Sequence, residues 1–199
     1  FVFLLFKKYS HIERVNLDVI DIEANSIYIL KLLLSKIKIP KNFNITFINE
    51  DFLEYNFNKS FDLVVGNPPF GKVKDSKKLK IYKKSAFNTK TSNIFSFFIE
   101  KCSKIADYIA LITPKSLLST PEFNLTRELL ARYNFKFIQD YGELAFKGVK
   151  IETISFMFES HNATKNNTIN IISYITKQNI IKLQAKVFDD NFPFWILYR

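Results

Sequence analysis

The stretch Phe61-Asp-Leu-Val-Val-Gly-Asn-Pro-Pro-Phe70 leaves a chain few ways to fold. A continuous apolar run ended by turn residues has the pattern of a central parallel strand, covered on both faces. Pro68 and Pro69 stop it, because neither donates to a sheet ladder and each restricts the residue before it. A stiff turn therefore falls at the carboxyl end of a strand, where open α/β sheets place their ligands.

That turn carries specific chemistry. Asn67 offers a side-chain amide oxygen and Pro68 a backbone carbonyl, so two acceptors can converge on one amino group. An amino group on an aromatic ring is a poor nucleophile, since its lone pair is shared with the ring. Two acceptors on its hydrogens favour the pyramidal form, whose lone pair can attack an electrophile. Phe70 offers a flat face on which a base can stack, a contact worth about 1–3 kcal/mol. The same tetrapeptide would also serve as an ordinary turn closing a core strand.

The rest of the chain alternates strands and helices, which argues a mostly parallel sheet covered by helices on both faces. Periodicity predicts a helix over 1–9, a strand over 15–20, a helix over 24–36, with Pro40 beyond its end, and a strand over 45–48. Thr91 or Ser92 can cap a helix from Asn93 to about Ile105. Tyr108 to Ile112 reads as a buried strand, and Thr120-Pro121-Glu122 opens a further helix. Phe135–Ile138 and Ile151–Phe158 read as a late antiparallel pair joined through Gly142 to Gly148. Beyond His161 the signal weakens to a strand near 169–175 and an aromatic end at Phe192 to Tyr198.

Composition bounds the function. Hydrophobic residues make up 47% of 199, with 22 Phe against 4 Gly, so the chain is globular. Cys102 lies in a helical pattern and reads as a small core residue. One cysteine builds no disulfide framework, and a cytoplasmic location is expected. The opening Phe1 to Phe6 is too short to span a bilayer and follows no basic residues, so neither a signal peptide nor a membrane helix is expected. His11 and His161 are isolated, and no metal site is expected. Net charge is +10. Seven lysines and one acid, Asp75, fall between Lys72 and Lys84. Such a block reads by default as a solvated loop. Directly after the turn, with Lys72 and Lys74 leading it, it points to nucleic acid.

Two strand ends carry acids. Asp21 closes the strand over 15–20, where nucleoside-binding sheets use an acid to accept hydrogen bonds from ribose hydroxyls. Glu23 is the alternative on the same face, and also reads as an acid at the positive end of a helix. Asp51-Phe52 closes the strand over 45–48.

Taken together, these segments resemble the S-adenosylmethionine-dependent amino-methyltransferases, most closely the DNA adenine-N6 methyltransferases of restriction-modification systems. The resemblance covers roughly the first 160 residues, and Asn67-Pro68-Pro69-Phe70 matches the family's catalytic motif. It implies a Rossmann-like α/β sheet, mostly parallel with a late antiparallel strand. It also implies that Asp21 and Ile22 hold the cofactor's ribose, and that Asp51 and Phe52 hold its adenine, with Asn67 at the junction with the substrate. Tyr108 to Leu118 and Tyr141 to Val149 resemble later family segments, which makes Phe146 either a second wall of the base pocket or a plain core residue. The short Asp51–Asn67 spacing matches the arrangement in which target recognition follows catalysis.

The implied activity is methyl transfer from S-adenosylmethionine to N6 of a flipped adenine in duplex DNA, with a recognition domain or specificity subunit and a nuclease as partners. The family's Gly-rich loop has no counterpart, since no Gly precedes Gly66. Residues 1–160 are thus expected to be a catalytic domain without its first strand, and 161–199 an extension towards a target-recognition domain. On that basis the chain is expected to be an incomplete piece, inactive alone. The alternatives are a protein-glutamine or RNA methyltransferase of the same fold, or a non-catalytic DNA-binding remnant.

Overall fold

The computed structural model describes residues 1–164, 166–188, 195 and 197. The chain forms two compact units, Phe1–Asn56 and Phe57–Arg199.

The first unit holds α1 (Val2–Lys8), β1 (Val15–Ile20), α2 (Ala24–Leu34) and β2 (Phe43–Ile48). β1 and β2 pair in parallel, Val15 opposite Phe43 and Ile20 opposite Ile48, with α2 as the crossover such a pairing needs. Alternation sorts the strands' side chains. Leu17, Val19, Phe43, Ile45 and Phe47 pack on Val2 and Phe6 of α1 and Leu34 of α2. Phe6 meets the ring of Phe43 edge-on at 4.8 Å.

The second unit opens with β3 (Phe61–Gly66), α3 (Ser76–Lys84), α4 (Ile94–Ile105) and β4 (Ala106–Pro114). Two short 3-10 turns, Lys115–Leu118 and Pro121–Phe123, lead into α5 (Asn124–Leu130). Then come β5 (Tyr133–Gly142), β6 (Thr153–Asn162), β7 (Thr168–Ser173), β8 (Gln178–Leu183) and α6 (Gln184–Val187). The six strands form one sheet in the order β3-β4-β6-β5-β7-β8. β3 runs parallel to β4 and β5 to β7, whereas β6 lies antiparallel between β4 and β5. The late antiparallel pair is therefore present, and β6 separates the two strands that precede it in the chain.

The sheet's core is aromatic. Phe135, Phe156 and Phe158 are almost wholly buried, and the Phe135 ring contacts both of the others and also Phe188 and Trp195. Each such side chain contributes about 1.5–3 kcal/mol through the area it removes from water. Cys102 is buried in α4, and burial pushes its thiol up to about 12, the state of an inert core cysteine.

Three details differ from the sequence reading. The lysine block is a helix, not a loop, for most of its length. Asp75 caps α3 by accepting from the amides of Lys77 and Lys78, and Tyr82 is buried against Phe97 at 5.8 Å. Next, α4 begins at Ile94, with Asn93 as its first flanking residue and the Thr91 hydroxyl accepting the Asn93 amide. Finally, β8 continues the sheet where no strand is expected. Of the aromatic end at Phe192 to Tyr198, only Trp195 and Leu197 lie within the described residues.

Candidate active site

The turn after β3 is held at both ends. Gly66 ends the ladder opposite Leu111, and a Cβ there would approach the Leu111 side chain to 3.3 Å. Pro68 is buried, Phe70 half-buried, and Asn67 and Pro69 exposed. Among the described residues, no hydrogen bond engages the Asn67 amide. Gly71 follows at φ +135°, a conformation that a side chain would strain. Its carbonyl accepts the Ile94 amide at 2.9 Å, and the Val73 amide donates to the Ser92 carbonyl at 2.8 Å. The turn is thus fastened to β3 on one side and to the start of α4 on the other.

Phe146 comes to the turn from the β5–β6 connection. Its ring meets that of Phe70 edge-on, with centroids 6.3 Å apart. That connection is stapled across its base by Lys115. The Lys115 Nζ lies 2.8 Å from Asp140 Oδ2 and 3.5 Å from Glu152 Oε1, and its amide donates to the Glu152 carbonyl at 2.8 Å. Asp140 is 1% exposed and also accepts the Gly142 amide. Burial pulls the Lys115 pKa down, but the Asp140 bond and both carboxylate charges outweigh it, so the ammonium is held above the ordinary lysine value.

In the first unit, Asp21 and Asp51 follow the carboxyl ends of two adjacent parallel strands, as their positions in the sequence imply. Asp21 extends the pairing through its amide to the Ile48 carbonyl, and its Oδ1 accepts the Glu23 amide at 2.8 Å. Asp51 Oδ1 accepts the Leu53 amide at 3.0 Å. Both acids and Phe52 are half-buried, while Ile22 is exposed. Asn49, which sequence reasoning passed over, donates its side-chain amide to the carbonyls of Asp21 and Ile22 and so fixes that strand end against its neighbour. Glu23 flanks the first residue of α2, and its side chain makes no capping bond.

Lys72 and Lys74 are both exposed, and Lys72 pairs with Asn93 through an isolated bridge. Glu122 is the group nearest this junction that sequence reasoning treated only as a helix-start acid. Its Oε1 accepts from the Thr91 hydroxyl at 2.7 Å, the Asn93 side-chain amide at 2.8 Å and the Ser92 amide at 3.2 Å. Burial pushes its carboxyl up, but those three donors and the charge of Lys72 prevail and leave it below the ordinary glutamate value.

An α/β fold of this kind is that of the class I methyltransferases. A Listeria monocytogenes protein assigned to the class I S-adenosylmethionine-dependent methyltransferases superposes with a TM-score of 0.58 at 13% identity, over 86% of this chain and 63% of its own. The methyltransferase subunit of a type I restriction-modification system from Streptococcus thermophilus gives 0.56 at 15% identity, over 89% and 48%. At such identities the likeness is one of fold. The sequence goes further: the Eco57I restriction-modification methylase family matches residues 3–146, and the chain belongs to that family. It is 31% identical over 121 residues to the type II methyltransferase M.TthHB8I of Thermus thermophilus. That match takes in 54% of this chain but only 28% of the Thermus protein.

Proposed function

We propose that the chain belongs to an enzyme that methylates N6 of a flipped-out adenine in duplex DNA, with S-adenosylmethionine as donor, within a restriction-modification system. The observation that carries the proposal is the turn: an exposed Asn67 amide, unengaged among the described residues, on a backbone fastened at both ends beside the Phe70 and Phe146 rings. Residues 1–160 are then the catalytic part and 161–199 its extension. Work on cellular DNA would put the protein in the cytoplasm, and among the described residues no helix is long and apolar enough to cross a membrane.

Asp21 and Ile22 would hold the donor's ribose, and Asp51 and Phe52 its adenine. The fit is chemical: each acid is an acceptor past a strand end, and the donor presents hydroxyls and an amino group there. When bound, S-adenosylmethionine supplies a methyl group on a positively charged sulfur, which is already electrophilic. The chain's own task is on the acceptor. Extruding an adenine from the duplex costs a few kcal/mol. Stacking on Phe70, with Phe146 as a second wall, offsets part of that. The Asn67 oxygen and the Pro68 carbonyl accept the two N6 hydrogens and favour the pyramidal nitrogen. They also stabilise positive charge developing there. The methylated nitrogen then loses its proton readily, so no His or Lys is needed as base. A recognition domain or specificity subunit would choose the sequence, and a nuclease would complete the system.

The basic helix supports nucleic acid over a protein substrate. Five lysines lie on α3, with Lys72 and Lys74 before it. Neutralising Lys72, Lys74 and Lys77 in the natural full-length protein should weaken binding to all duplex sequences alike. The slope of log affinity against log salt should flatten by roughly one unit for each phosphate left unpaired. An unchanged slope would remove DNA from this face. A stronger effect with structured RNA would favour the RNA reading.

A further inference from the structure

We propose that Glu122 is a positioning residue for the Asn67–Phe70 turn, acting through the start of α4 without touching substrate. The inference rests on reading that turn as the element that binds the acceptor. β3 fixes the turn only as far as Gly66, opposite Leu111. The next backbone ties are Gly71 to Ile94, Val73 to Ser92, and the Lys72–Asn93 bridge. Ser92 and Asn93 belong to no strand or helix of their own. They are held by Glu122, whose single Oε1 gathers the Thr91 hydroxyl, the Ser92 amide and the Asn93 side chain.

Glu122 is itself well anchored. Asn88, fully buried, donates to the Glu122 carbonyl at 3.0 Å and to the Thr126 hydroxyl at 2.8 Å, and Phe123 beside it is 2% exposed. The carboxylate therefore links a rigid platform to the junction that fixes Gly71. Geometry at a reacting centre is unforgiving, and a misplacement of about 1 Å can cost a hundredfold in rate. A residue that only stabilised the fold would leave the turn's shape, and so turnover per folded molecule, unchanged.

The test compares Glu122→Ala, Glu122→Gln and Thr91→Val in the natural full-length protein, with Asn67→Ala as reference. Amide hydrogen exchange and methylation kinetics are both measured. Hydrogen bonds to charged groups are among the stronger ones, so Glu122→Ala should speed exchange at Val73 and Ile94 by roughly tenfold or more. Amides of β4 and β6 should be unaffected. The kcat should fall about ten- to a hundredfold with affinity for S-adenosylmethionine unchanged. Glutamine keeps the accepting oxygen but not the charge, and should restore most of both readouts. Thr91→Val removes one donor to Glu122 together with the acceptor of the Asn93 amide, and should impair both readouts more than glutamine does. It carries the same comparison where the alanine variant does not fold.

Unchanged exchange at Val73 and Ile94 would overturn the proposal. So would faster exchange spread through β4 and β6, or a glutamine variant as impaired as alanine. If Asn67→Ala leaves methylation intact, the reading of the turn fails instead, while exchange at Val73 and Ile94 still decides whether Glu122 anchors it.

Discussion

Replacing Asn67 with alanine should lower adenine methylation by at least a hundredfold while leaving S-adenosylmethionine affinity nearly unchanged. The turn's backbone does not depend on that side chain. Pro68 is buried, the Gly66 end is locked into the ladder beside Leu111, and the Gly71 end is bonded to Ile94. Alanine therefore deletes one preorganised acceptor and little else. Losing a single such partner commonly costs about 10²–10³ in turnover, because it acts on charge that develops only in the transition state. The acids assigned to the donor, Asp21 and Asp51, follow β1 and β2 rather than β3. Single-turnover methylation and donor titration on the natural full-length protein would separate the two effects. Near-normal methylation would sink the assignment.

A loss of stability is expected at Lys115. Asp140 is 1% exposed and lies 2.8 Å from the Lys115 ammonium. Lys115→Met would remove the ammonium from that buried carboxylate, which keeps the Gly142 amide among its donors, and should cost about 1–3 kcal/mol. Adding Asp140→Asn should recover part of the loss, since an amide oxygen can still accept from Gly142 and carries no charge to desolvate. The sign of the pH dependence follows from the raised lysine pKa. The pair's contribution is fully present below the ordinary lysine value and is lost as pH rises through the higher folded one. Urea midpoints of the single and double variants at neutral pH would check the ordering. Equal midpoints for wild type and Lys115→Met would show that the staple stabilises nothing. Because the pair closes the base of the loop carrying Phe146, the single variant should also loosen that ring against Phe70.

Much of this was legible in sequence for a local reason. β1 spans Val15–Ile20, as read from its apolar run, and β3 stops where Gly66-Asn67-Pro68 says it must. The two acids and the tetrapeptide could be placed at strand ends from sequence because each strand before them stops abruptly. The lysine block misled because its charge masks the features that make α3 a helix, the Asp75 cap and the buried Tyr82. β8 escaped because Gln178–Leu183 is half polar and gains its partner only by pairing with β7. The role of Glu122 was not legible at all. Its bonds reach residues 29 to 31 positions away, and only the folded chain brings those groups together. The same holds for Asn49, and for the meeting of Phe70 with Phe146.

The most direct test of the account is to supply the natural full-length protein with methyl-labelled S-adenosylmethionine and duplex DNA, RNA and protein in parallel, then digest each and identify the labelled product. The account predicts label in N6-methyladenine from duplex DNA, lost in the Asn67→Ala variant. Label confined to RNA or to protein glutamine, or equal labelling by the variant, would contradict it.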